Sequence, residues 1–87
     1  MQVTVELFGI PRSRAGVAKT TAQGTLLGDI LLDLANRFPG LAQDCIDGRR
    51  LRAGYTVNLG GNRFVSAPDT AIGPGDTVML LSLDAGG

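Results

Sequence analysis

Thr77-Val78-Met79-Leu80-Leu81-Ser82-Leu83-Asp84-Ala85-Gly86-Gly87 closes the chain, and its reading decides the fold. Residues 77–83 form a strand with two apolar faces. Val78 and Leu80 point one way, and Met79, Leu81 and Leu83 the other. A strand buried on both sides reads like this. Yet 87 residues make one domain with one core. A single long amphipathic helix covers only one face of a sheet, so the second face is hidden by a loop or kept for a partner. The strand then delivers its end to Gly86-Gly87. With glycine usage of about 7%, two terminal glycines arise by chance in roughly 0.5% of chains. The expectation is a domain over residues 1–83 that carries a flexible tail, residues 84–87.

The rest of the chain supplies the partners of that strand. Residues 1–8 alternate, with Met1, Val3, Val5 and Leu7 on one face and Gln2, Thr4 and Glu6 on the other. Phe8 puts an aromatic on the polar side. Gly9-Ile10-Pro11 ends this strand, and residues 12–16 read as a connecting turn. Residues 17–23 are a weaker strand, paired antiparallel with the first. Thr25 reads as the N-cap of a helix in which Leu27, Ile30, Leu31, Leu34, Ala35 and Phe38 form one apolar stripe. Asp33 and Arg37 lie off the stripe as an i, i+4 pair. Pro39-Gly40 stops the helix.

Leu41, Cys45 and Ile46 fit a short helical turn that caps the core. Asp47-Gly48-Arg49-Arg50 is turn-like and basic, and residues 51–54 read as the start of another strand. Residues 55–59 and 63–66 are strands joined across Gly60-Gly61-Asn62. The order is strand, strand, helix, strand, strand, strand. This predicts an α+β, β-grasp arrangement. One main helix packs across a mixed sheet of four or five strands, with the first and last strands central.

Composition narrows the chemistry. Eight Lys+Arg balance eight Asp+Glu, so there is no basic field for nucleic acid and no polybasic segment for a membrane. No apolar run approaches the length of a membrane span, and no signal peptide is evident, so a cytoplasmic protein is expected. There is no histidine, the commonest general base and metal ligand. The lone Cys45 forms no internal disulfide or thiolate cluster and reads as a packing residue. Asp29, Asp33, Asp44 and Asp47 lack metal-loop spacing. Gly60-Gly61-Asn62 lacks the Lys and Ser/Thr of a phosphate loop. No bound cofactor, no metal and no autonomous enzymatic activity are expected.

Several pieces then coincide: Leu7-Phe8-Gly9, Arg14-Ala15-Gly16, Thr25-Leu26, Arg37-Phe38-Pro39-Gly40-Leu41, Val57-Asn58, Asp69-Thr70, Gly75-Asp76 and Ala85-Gly86-Gly87. In this order they resemble the MoaD/ThiS sulfur-carrier proteins of the ubiquitin-like superfamily over essentially the whole chain. The length and the Phe8-Gly9 and Ala15-Gly16 pairs look more like the small subunit of molybdopterin synthase than the thiamin carriers. Leu81-Ser82-Leu83-Asp84 departs from the prolines that many members carry there, and the hairpin after Asn58 is longer than the family's short Asn-Gly turn.

The resemblance implies a protein cosubstrate. An E1-like (MoeB/ThiF-like) enzyme uses ATP to adenylate the carboxylate of Gly87. A sulfur donor then converts the adenylate to a thiocarboxylate, which serves a sulfur-accepting enzyme such as a molybdopterin synthase large subunit. Related carriers serve thiamin, cysteine, siderophore, tRNA-thiolation and tungsten-cofactor pathways. Glycine suits the reactive end because Gly86 and Gly87 carry no side chain to block a narrow channel.

Phe8, Met79, Leu81 and Leu83, with Asp84 and Ala85 beyond them, are the candidate partner-binding residues. If the first and last strands are neighbours, the four apolar residues make one patch on the face away from the helix. The alternative is ordinary loop-covered core. Arg12 and Arg14 face solvent or a partner. The Arg49-Arg50-Arg52 cluster reads as a solvated surface or as a site for phosphate or an acidic patch. Two further functions share this fold and tail. One is a ubiquitin-like modifier joined to lysine; the other is an interaction domain whose tail is incidental.

Overall fold

The computed structural model describes residues 1–83 of the chain; residues 84–87 lie outside the described part. Strand β1 (Gln2–Leu7) alternates as its sequence requires, burying Val3, Val5 and Leu7. It pairs antiparallel with β2 (Lys19–Gln23) on one side. On the other it pairs parallel with β7 (Thr77–Ser82), from Thr4 opposite Thr77 to Leu7 opposite Leu80.

The link between β1 and β2 is not the expected turn. It contains a short helix, α1 (Gly9–Ala15). Pro11 sits in the first turn of α1, where its missing N–H costs nothing. Gly16 closes the helix in the left-handed region, donating its N–H to Arg12 O at 2.9 Å. Seven residues are too few for a legible period, and Gly and Pro read as breakers.

Helix α2 (Leu27–Arg37) buries Leu27, Ile30, Leu31 and Leu34 against the sheet, as the stripe predicts. Its cap differs from the expected one. Leu26, not Thr25, is the N-cap residue, and its N–H donates to the Asp29 carboxylate at 3.2 Å. Thr25 O instead accepts from Ile72 N–H, while Leu26 bridges Ala71. Two free N–H groups of the first turn, those of Leu27 and Gly28, donate to Thr70 O at 2.9 Å and Pro68 O at 2.8 Å. A distant loop therefore does what a capping side chain usually does.

Pro39 opens α3 (Pro39–Asp44), where Leu41 caps the core as anticipated. A small side hairpin comes next, β3 (Ile46–Asp47) with β4 (Arg50–Leu51). Leu51 thus ends a strand; it does not begin one. Strand β5 (Tyr55–Leu59) pairs with β6 (Arg63–Val65) and, on its other side, with β7.

The main sheet runs β2-β1-β7-β5-β6, five strands with β1, β7 and β5 inside. This is the β-grasp order, with the parallel β1–β7 pair at its centre. Val57, Leu59, Val78 and Leu80 complete the core with β1 and α2. The three helices of the described residues lie on one side, leaving the other sheet face open.

The outer edge of β2 is closed by α2. Asp33 Oδ2 accepts the outward N–H of Gln23 at 2.8 Å, and Arg37 Nη2 donates to the outward carbonyl of Thr21. The expected Asp33–Arg37 pair, 3.3 Å apart, therefore occupies the hydrogen-bonding groups that an added strand would use.

Candidate docking face and reactive end

The predicted reactive end, Gly86 and Gly87, and the flanking Asp84 and Ala85 lie outside the described residues. The structure brings the chain to their doorstep. Strand β7 is central, held by β1 on one side and β5 on the other. Its last tie is Leu83 N–H donating to Gly54 O at 2.8 Å. The last described residue is thus anchored to the sheet.

The register puts Phe8, Met79, Leu81 and Leu83, the candidate partner-binding residues, on the sheet face away from the core. Val78 and Leu80 are buried in the core, so Met79 and Leu81 project from the other side and are half-buried. Leu83 continues their parity and is 67% exposed. Phe8 stands one step past Leu7, which is opposite Leu80, and so falls level with Leu81. Phe8 N–H donates to Leu80 O at 3.1 Å, and its side chain is exposed.

A fifth residue joins them. Phe64 on β6 is 66% exposed. It lies opposite Asn58, which in turn lies opposite Met79. Sequence reasoning missed Phe64 because Arg63-Phe64-Val65 shows no apolar alternation. The signal was the register across Gly60-Gly61, which puts Phe64 on the same face as Asn58. Glu6, paired with Met79, and Lys19, paired with Glu6, extend this row to the β2 edge.

The basic cluster is largely structural. Arg49 reaches Asp29 at 2.7 Å and ties the small hairpin to α2. That guanidinium holds the Asp29 carboxyl below the usual range. Arg52 donates to Ala42 O at 2.8 Å, and Arg14 pairs with Asp44 at 2.6 Å. Cys45 is fully buried, and that burial pushes its thiol pKa up, with a hydrogen bond to Tyr55 acting the other way. A thiol so placed is a poor nucleophile. Among the described residues no three His, Cys, Asp or Glu stand close enough to hold a metal ion. No helix of the described residues is long and apolar enough to cross a membrane.

Known proteins align with this geometry along the whole chain. No family model matches the sequence. The sulfur carrier protein CysO of Mycobacterium tuberculosis is 34% identical over 93 aligned residues, covering 100% of both chains. Among solved structures, a chain of the BexX/CysO complex of Amycolatopsis orientalis superposes with a TM-score of 0.78 at 25% identity, covering 98% of this chain and 99% of that one. The small archaeal modifier protein SAMP1 of Haloferax volcanii gives a TM-score of 0.80 at 22% identity with full coverage of both chains, a likeness of fold. An end-to-end relation at this identity, on a β-grasp frame with the expected strand order, assigns the chain: it belongs to the MoaD/ThiS-like, ubiquitin-like family of sulfur carriers.

Proposed function

We propose that this protein carries sulfur as a thiocarboxylate on Gly87 and presents it to an acceptor enzyme. The observation that carries the reading is the full-length relation to a sulfur carrier protein. A carboxylate is a poor electrophile. Attack by a Gly87 carboxylate oxygen on the α-phosphorus of ATP releases pyrophosphate and leaves an acyl-adenylate. A sulfur nucleophile at the oxidation level of sulfide then attacks the carboxyl carbon, and AMP departs. Both steps belong to partner enzymes, the first to an E1-like, MoeB/ThiF-like adenylating enzyme. This chain contributes the substrate carboxylate and the surface by which it is recognised.

The open face of Phe8, Phe64, Met79, Leu81 and Leu83 serves that recognition. Exposed aromatic and aliphatic side chains on a rigid sheet lose little entropy when covered. Leu83 makes the face continuous with the exit of the tail. A molybdopterin synthase large subunit is the first acceptor to test, on the strength of the Phe8-Gly9 and Ala15-Gly16 pairs.

The test is intact-mass measurement after incubation with ATP, a sulfur donor and an E1-like enzyme. One oxygen of the free protein should be replaced by sulfur. Deleting Gly87, or adding one residue after it, should abolish the change. An extended protein that still gains sulfur would overturn the reading. Conjugates bearing a diglycine remnant on lysine would mark the protein as a modifier.

A further inference from the structure

Asn58 sits on the open face of β5, one strand in from the β6 edge, and does not behave like a structural residue. Its neighbours along β5, Val57 and Leu59, are in the core, which puts Asn58 on the other side. Phe64 flanks it on one strand and Met79 on the next. Asn58 is only 9% exposed, and its Oδ1 is buried with no hydrogen-bond partner. Asparagine is among the poorest strand formers, and a buried carbonyl oxygen without a donor costs free energy that an apolar side chain would not. No donor among the described residues reaches this oxygen.

The surroundings indicate what would repay it. Phe64, an exposed aromatic, lies directly opposite Asn58 across the β5–β6 pair. Glu6, on the far side of Met79, forms no ion pair among the described residues, although Lys19 lies opposite it. A ring face, an unpaired acceptor and a free carboxylate on one row all favour a cation that donates hydrogen bonds. A guanidinium fits best, because it is planar, stacks on aromatic rings and has N–H donors at its rim. The terminal torsion of an amide is soft, so Oδ1 turns outward without moving the strand.

We propose that Asn58 is the polar anchor of the docking face. An arginine of the partner protein stacks on Phe64 and donates to Asn58 Oδ1. This rests on the sulfur-carrier reading for the identity of the partner, an E1-like adenylating enzyme.

Asn58→Leu removes the acceptor and the orphan together. The variant should melt at or above the wild-type temperature, while its KM as a substrate for adenylation rises about tenfold at unchanged kcat. Asn58→Asp keeps an acceptor and adds charge, so its KM should stay at or below wild type and rise with salt. A folded Asn58→Leu with wild-type KM, or an Asn58→Asp as impaired as Asn58→Leu, would overturn the proposal.

If no E1-like enzyme adenylates the wild-type chain, the carrier reading fails and the anchor is tested alone. The isotope-labelled protein is titrated with N-acetyl-arginine methylamide and with its neutral citrulline analogue. The arginine probe should shift the Asn58 side-chain amide and the Phe64 ring signals. The citrulline probe, and either probe with Asn58→Leu, should not. Equal shifts with both probes, or none, would refute the guanidinium site.

Discussion

Two glycines on helices show how much a single methyl group weighs here. A Cβ on Gly40 would lie 2.2 Å from the carbonyl oxygen of Arg14. That oxygen is backbone, so α1 and α3 would have to separate. A Cβ on Gly28 would lie 2.8 Å from Arg49 Cζ, the end of a flexible side chain that is able to swing away. Gly40→Ala should therefore cost about 1–3 kcal/mol by overpacking. Gly28→Ala should change stability by less than about 1 kcal/mol, because alanine's helix propensity offsets the displaced Arg49–Asp29 contact. Denaturant melts of the two variants check this, and equal losses would contradict it. The Arg49 that packs on Gly28 lies twenty-one positions away and meets it only through the small hairpin, so the sequence around Gly28 carries no sign of that partner.

At the scale of elements, the edge of β2 is one of the two places in the main sheet where a neighbouring chain would add. Asp33 and Arg37 take the Gln23 N–H and the Thr21 carbonyl that such a chain needs. Asp33→Ala with Arg37→Ala should cost about 1 kcal/mol of stability. More tellingly, it should raise self-association at high concentration, seen by sedimentation velocity. A doubly substituted protein that stays strictly monomeric would show that the edge is guarded by something else.

The i, i+4 spacing of this pair was visible in the sequence, but its target on β2 was not, since pairing across elements is set by tertiary placement. The same division holds elsewhere. The β1 alternation, the α2 stripe and the two-faced β7 were each legible because a period repeats within one element. Helix α1 was not, because it is short and carries the Gly and Pro that usually break helices. The loop carbonyls of Pro68 and Thr70 that cap α2 left no local trace, and Thr25, the residue type a cap prefers, serves a neighbouring strand bridge instead. Phe8, Met79, Leu81 and Leu83 were found from parity alone. Phe64 and Asn58 needed the register between strands.

For the whole molecule, the question is whether holding and reacting are separable. The buried hydrophobics of the described residues run from Val3 to Leu80. The face proposed for docking reaches Leu83, the last described residue. A protein truncated after Leu83 should then keep its stability to within about 0.5 kcal/mol, as changes outside a core usually do. It should accept neither AMP nor sulfur, yet still occupy the adenylating enzyme. The truncated protein should therefore inhibit loading of the full chain competitively, with a Ki close to the full chain's KM. Adding Asn58→Leu to the truncated protein should weaken that inhibition by the same factor by which it raises the KM of the full chain, since both report contact at one face. If the truncated protein fails to inhibit, recognition resides in the tail and the sheet face is a bystander. If it inhibits and Asn58→Leu leaves its Ki unchanged, the face docks without its polar centre.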